Sequence, residues 1–551
     1  MVKLHYKQIK LLDVMKPLDF DKITSNKAYN TDPVILTTDV KTRLSDYSLE
    51  EYIKDVEQQG LQTVWDNICQ YVTDNCQDLP ELLAVDNFGE LYEIGLALQD
   101  KQLKKNSGQY YTPNDVTTLM CKWLLECKDG KNVCDVACGT GKLILTYLDL
   151  IGYDKARELI YDGRLYLYDS DNVALKICRT ILGVKYGLDI VDKINDICCD
   201  FLDRSISLPD DSRVISNPPY AQIVDIPNYW EHTDTTLDTK EYYAIFMEKI
   251  LKQSLSSVII SPYSFISGNK FYSLRRELNN YSGFIVSFDN VPGNIFCGRK
   301  HGIFNTNTSN SVRAAITVTE KNKPQKGYRL SPLIRFKQTE RKKLLKPDVL
   351  EEFLNPDYQI VDESNTMFYK CDKRLAKIFK TWVKKSSSRV LLEYVRLAGE
   401  YSISMPNTCR YYTTASESIM NRSGQMILRF DDKKVFNYVF CLINSSFAYW
   451  YWRIYDGGIT YPKRLLLNMP VFYELLTESD FQFFEDIASE MIKKSKDYII
   501  TKNNVGTQEN IKYPREYRDK LNERFFRILD IHEDCKIFDI VHSNMALEVN
   551  I

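Results

Sequence analysis

The chain has 551 residues, 44% hydrophobic and 26% charged, with a formal net charge of -2. That is apolar material for two or three domains, and too even a charge for polyanion binding unless cations are concentrated locally. Its 14 cysteines are scattered without a Cys-x-x-Cys pair, no export signal stands at Met1-Val2-Lys3-Leu4-His5, and no apolar run is long enough to span a bilayer, so a soluble protein of a reducing compartment without structural zinc is expected.

Helical periodicity is predicted at Leu49–Gln59, Val64–Asn75 and Phe88–Leu103, so residues 1–105 read as a mainly helical N-terminal region. Asp32-Pro33 and Asp39-Val40-Lys41 only faintly suggest a nuclease metal site, in a region too short for a usual nuclease fold. From 106 to 320 strands and helices alternate. Asn132-Val133-Cys134 reads as a buried strand running into Asp135-Val136-Ala137-Cys138-Gly139-Thr140-Gly141 and then a helical pattern, Lys142 to Leu150. Gly139 and Gly141 let backbone approach a ligand closely, and the new helix points N–H groups into the same space. A pyrophosphate site is not completed: position 144 is Ile, and Lys142 is followed by Leu143 rather than Ser or Thr.

The next strand, Leu165 to Tyr168, ends in Asp169-Ser170-Asp171, where a carboxylate is placed to accept from both hydroxyls of a ribose. A third strand end carries Cys199-Asp200-Phe201, an acceptor for an adenine amino group beside a ring to lie on its face. In this order the groups describe a pocket for S-adenosylmethionine. Cys134 and Cys138, flanking the glycine turn, read as small buried residues.

The apolar run Val214-Ile215-Ser216 delivers Asn217-Pro218-Pro219-Tyr220 to the carboxyl edge of the sheet. An Asn oxygen and the carbonyl of Pro218 can accept both hydrogens of one amino group, and Tyr220 offers a ring for stacking. The nitrogen of an adenine or amide is a poor nucleophile because its lone pair is delocalised. Two fixed acceptors favour the tetrahedral nitrogen of the transition state and stabilise its positive charge. Later strands are predicted at Val258–Pro262 and Phe284–Phe288, and Phe246, on the helix before Val258, is expected to serve core packing.

The chain resembles the gamma-class N6-adenine DNA methyltransferases of bacterial restriction-modification systems, over roughly residues 105 to 320. The matching residues are Ser107-Gly108-Gln109-Tyr110-Tyr111-Thr112-Pro113 with Val116, Asp135 to Gly141, Asp169, Asp200-Phe201 and Asn217 to Tyr220, in the gamma-class order. The resemblance implies a Rossmann-like α/β sheet that binds S-adenosylmethionine, with an N-terminal helical cap and a C-terminal mixed α+β target-recognition domain. It implies that Tyr111, Thr112 and Pro113 close over the methionine part of the cofactor. Asp135, Ala137, Gly139 and Gly141 would line its backbone side, Asp169 would hold the ribose, and Asp200 and Phe201 the adenine. Asn217, Pro218, Pro219 and Tyr220 would form the catalytic corner, Tyr220 stacking on a flipped-out adenine and Phe296 on its opposite face. No metal is required, since the sulfonium is already electrophilic. Implied partners are double-stranded DNA and a separate restriction endonuclease, in the bacterial cytoplasm. The absence of Pro-Cys argues against a cytosine-C5 enzyme.

Residues 321–350 hold ten Lys and Arg, from Lys321 to Lys346, and read as a basic linker. Residues 351–551 read as the target-recognition domain. A helix-like Val439–Phe447 is followed by Tyr449-Trp450-Tyr451-Trp452, expected to be core, by Arg453, Lys463 and Arg464, expected to reach DNA, and by a short strand at Leu465–Val471. An amphipathic helix is predicted over Tyr513–Leu529. Alternatives are an N-methyltransferase acting on protein glutamine or ribosomal RNA, for which the same tetrapeptide serves, and a methyltransferase-like DNA-binding assembly subunit.

Overall fold

The computed structural model describes residues 49–74, 112–296, 312–502 and 508–547, with short pieces between 89 and 96 and between 300 and 305. An eight-stranded sheet is built from β1 (Asn132–Val136), β2 (Leu165–Asp169), β3 (Asn195–Cys198), β4 (Ser212–Ser216), β5 (Ser256–Pro262), β6 (Ser282–Phe288), β7 (Ala314–Glu320) and β8 (Gly327–Ile334). Their spatial order is β8-β6-β7-β5-β4-β1-β2-β3. Strand β7 runs antiparallel to both neighbours, and every other pairing is parallel.

Both faces of this sheet are covered, which is why its strands are short apolar runs. Val133, Leu165 and Leu167 turn to the face packed by α3 (Asn114–Glu126), α4 (Lys142–Ile151) and α5 (Asn172–Tyr186). Cys134, Val136 and Tyr168 turn to the opposite face, under α6 (Tyr242–Gln253). Ahead of them in sequence, α1 (Leu49–Gln59) and α2 (Leu61–Asp74) form a helical pair, with α2 lying against α5. Helix α5 begins where the Asp171 side chain accepts from the N–H groups of Val173 and Ala174.

The C-terminal region has its own aromatic core, formed mainly by α7 (Ala376–Lys385), α8 (Lys433–Asn444), α9 (Ser446–Tyr455), α10 (Glu478–Lys493) and α11 (Arg515–Leu529). Trp382 and Trp450 stack at 5.8 Å, and Trp452 is fully buried. Two antiparallel hairpins complete the region, β9 (Tyr401–Pro406) with β10 (Gln425–Phe430), and β11 (Ile499–Lys502) with β12 (Gln508–Ile511). Two details differ from expectation here. The apolar stretch 439–447 is divided at Ser445, whose hydroxyl caps α9 by accepting from the Phe447 N–H. The expected strand at 465–471 is a short helix, Lys463–Leu467, opened by Pro462. Only an isolated bridge, Val390 to Pro470, remains of the pairing.

The basic segment 321–350 is not a linker. It contributes β8, paired with β6 at the edge of the central sheet, and two of its cations are buried. Arg335 joins Arg313 and Arg453 around the fully buried carboxylate of Asp289, at 3.1, 2.9 and 2.5 Å respectively. Arg453, expected at the DNA, therefore ties α9 to the end of β6; Lys463 and Arg464 remain exposed. Among the described residues no helix is long and apolar enough to cross a membrane.

Candidate functional site

Parallel register brings the motifs together. Val136 of β1 pairs with Tyr168 of β2 and with Ser216 of β4, and Asp169 pairs with Cys198 of β3, so four strands end along one edge. The Ser216 hydroxyl donates to the Val136 carbonyl at 2.6 Å, fixing the two neighbouring strand ends. A cavity of about 420 Å³ opens at this edge, lined by Ala137, Gly139, Asp169, Asp200, Phe201, Asn217 and Pro219, with Thr112 and Lys142. That volume suits a small-molecule ligand.

The glycine turn builds the floor. Ala137 and Gly139 both have positive φ, 61° and 53°, and a Cβ on Gly139 would meet no atom within 4 Å, so open space lies over that position. Gly141 serves packing instead: at φ 88° its absent Cβ would stand 2.3 Å from Cys178 Sγ on α5. Asp135 is fully buried and does not line the cavity. Its Oδ2 accepts from the Ile144 N–H at 3.2 Å, and burial holds its carboxyl well above the usual range, so it anchors the start of α4 from behind.

Asp169 is committed on both oxygens. Oδ2 accepts from the Gly139 N–H at 2.7 Å and Oδ1 from the Asp171 N–H at 2.8 Å, leaving the remaining lone pairs for a ligand. Desolvation pushes its carboxyl up to about 6, against the two backbone donors. The fold therefore favours the protonated acid, and ionising it costs stability progressively as pH rises from the ordinary aspartate value to about 6. An ionised carboxylate is the stronger acceptor for a diol, so, with Asp169 in the ribose-binding role the resemblance implies, cofactor affinity should fall as pH is lowered through about 6. Calorimetric titration of wild type and Asp169→Asn between pH 5 and pH 8 checks this: the variant should bind more weakly and lose the pH dependence assigned to this carboxyl.

Beyond β3, Asp200 accepts from Trp230 Nε1 at 2.7 Å, from the Tyr229 hydroxyl at 3.1 Å and from the Leu202 N–H at 3.0 Å. Phe201 lies 5.4 Å from Phe246, and both rings line the cavity, so Phe246 is a wall of the site as well as core. Trp230 packs on Tyr242 at 5.6 Å beside Asp200, while Tyr92, also lining the cavity, donates its hydroxyl to Asp171 Oδ2 at 2.5 Å. None of the three was legible as a site residue, because each reaches the strand edge from a segment far from it in sequence.

At the end of β4, Asn217 Nδ2 donates to Thr112 Oγ1 at 2.9 Å, which fixes the side of the amide that carries the acceptor oxygen. Pro113 follows as the cap of α3, Pro218 is buried and Pro219 faces the cavity. Tyr220 is half-buried, its hydroxyl donating to the Ile260 carbonyl at 3.2 Å. Phe296 is fully buried, with its ring centroid 6.0 Å from that of Tyr220 at 67°, so the rings meet edge to face rather than as parallel plates. Arg341 holds this aromatic segment, donating to the carbonyls of Asn294 at 2.7 Å and Ile295 at 2.8 Å while pairing with Asp115 of α3. Tyr111, Asp32, Asp39 and most of the predicted Phe88–Leu103 helix lie outside the described residues.

Residues 83–352 match the family model described as N-6 DNA Methylase. The matched residues contain the whole strand edge, from Tyr92 to the Arg341 contact. The chain is 21% identical over 265 residues to the type I restriction enzyme MpnII methylase subunit of Mycoplasma pneumoniae, covering 44% of this chain and 46% of that protein. It is 25% identical over 171 residues to the type I restriction enzyme EcoEI methylase subunit of Escherichia coli, covering 30% and 34%. The chain spans less than half the length of either relative. Among solved structures, a nuclease-deletion mutant of the Type ISP restriction-modification enzyme LlaGI with a DNA substrate mimic aligns at a TM-score of 0.41 and 13% identity, over 80% of this chain and 61% of that one.

Proposed function

We propose that the protein is a site-specific DNA methyltransferase that transfers a methyl group from S-adenosylmethionine to the N6 amino group of an adenine, as the modification component of a restriction-modification system. The observation that carries this reading is one cavity lined both by the ends of β1, β2 and β3 and by Asn217 and Pro219. The family match over residues 83–352 supports it.

S-adenosylmethionine supplies a methyl group on a sulfonium that a nitrogen can displace directly. Along the cavity, Phe201 and Phe246 offer apolar faces for the cofactor's adenine and Asp200 a carboxylate for its amino group. Asp169 accepts from the ribose, while Thr112 with Pro113 covers the methionine end. Asn217 and the Pro218 carbonyl take the two hydrogens of the target amine, and Tyr220 stacks on the base, which leaves the duplex to reach the corner. Stacking recovers about 1–3 kcal/mol per aromatic partner. For Phe296 to share this role its ring must turn from its edge-to-face arrangement with Tyr220. Acting on double-stranded DNA in the bacterial cytoplasm, the protein would work beside a separate restriction endonuclease. Lys463 and Arg464 are exposed cations for the DNA backbone.

The test is expression in a methylation-free bacterial host, alone and together with its neighbouring genes, followed by long-read mapping of genomic adenines. Modified adenines confined to one sequence motif are expected. A genome unmodified in both settings, from protein that binds S-adenosylmethionine, overturns the assignment.

A further inference from the structure

Resting on the reading of this cavity as a cofactor site, we infer that Lys142 binds the carboxylate of the cofactor's methionine and selects for ligands that carry it. The sheet order sorts the cavity. Phe201 and Asp200 follow β3, Asp169 follows β2, and Asn217 follows β4, on the far side of β1. A nucleoside with its base at Phe201 and its ribose at Asp169 therefore extends its third part toward Thr112, Asn217 and Lys142. In S-adenosylmethionine that part is an amino acid, ending in a carboxylate.

Lys142 suits that group by position. It is only 8% exposed, lines the cavity and donates to Asn114 Oδ1 at the first residue of α3, so its ammonium is held near the wall formed by Thr112 and α3. It is also the first residue of α4, directly after the glycine turn. A cation there faces the positive end of the helix dipole, where anions rather than cations are favoured. A lysine at this point is a poor choice for helix stability and a good one for an anionic ligand, because its charge and the N-terminus of α4 then act on the carboxylate together.

The experiment is calorimetric titration of the full chain at neutral pH with S-adenosylmethionine, S-adenosylhomocysteine and decarboxylated S-adenosylmethionine, which keeps the sulfonium and the amine. Wild type should bind the decarboxylated compound roughly tenfold or more weakly than the parent, the size expected for a charged hydrogen bond. Lys142→Met should lose about that factor for both carboxylate ligands and leave the decarboxylated one unchanged. Lys142→Arg, which keeps the charge, should retain the preference. Equal binding of the two sulfonium ligands by wild type overturns the role of Lys142, as does a preference that persists in Lys142→Met. If Lys142→Met fails to fold, the wild-type preference and its retention in Lys142→Arg decide the matter, and loss of preference in a folded Lys142→Arg counts against the role. A wild type that binds none of the three ligands instead removes the cofactor reading itself.

Discussion

Asn217→Ala should lower turnover on a cognate duplex by about 10²–10³-fold, the usual effect of removing one group that stabilises transition-state charge. The cofactor affinity should change little. The side chain carries one of the two acceptors proposed for the target amine, and no substitute stands in the same place once the amide is gone. Its other atom, Nδ2, is occupied by Thr112 Oγ1 at 2.9 Å. The alanine variant thus also releases the Thr112 hydroxyl, which bears on cofactor closure, so binding and turnover have to be measured separately. Asn217→Asp keeps an acceptor oxygen at the site, and the Thr112 hydroxyl can donate to it; this variant should retain more activity than Asn217→Ala. Single-turnover methylation with pre-bound cofactor checks both. Wild-type rates in Asn217→Ala would remove the tetrapeptide from the chemistry.

Asp289→Asn should destabilise the protein by about 3–5 kcal/mol, the usual result of removing one partner from a buried ionic group. The carboxylate is fully buried, with Arg313, Arg335 and Arg453 within 3.1 Å, so the amide leaves three buried guanidiniums without their counter-charge. Burial alone would raise the carboxyl's pKa, but Arg453, Arg313 and Arg335 together hold it down at about 2. The sign follows from that depression. The stabilisation is complete above the ordinary aspartate value, near 3.9, and is lost as pH falls through about 2. Denaturant unfolding at neutral pH measures the loss, and an acid titration of wild type should show a limb that Asp289→Asn lacks. Unchanged stability in the variant would mean that the four groups are balanced by other means.

The strand ends that carry Asn217, Asp169 and the glycine turn were readable because each rests on short, contiguous signals. A strand that stops at Asn217, another that stops at Asp169, and a glycine turn before a helix need no distant partner to be recognised. Register then does the rest, since parallel strands of similar length end together. Charges were read less well, for the opposite reason. Arg335, Arg341 and Arg453 look like solvent or DNA contacts in sequence, yet each is committed to a carboxylate far along the chain: Asp115, for instance, is 226 positions from Arg341. Composition reports how many cations a segment holds, not which of them fold inward. The same holds for Trp230 and Tyr92, whose hydrogen bonds to Asp200 and Asp171 join residues 30 and 79 positions apart and form only once those segments have packed together.

The Arg341 clasp has a mechanical consequence. One guanidinium grips the first turn of the helix that follows Thr112 and Pro113, and also the backbone just before Phe296. On the proposed reading, the wall beside the methyl donor and the wall beside the incoming base are therefore buckled to a common fastening, and a defect at this single side chain would register in both.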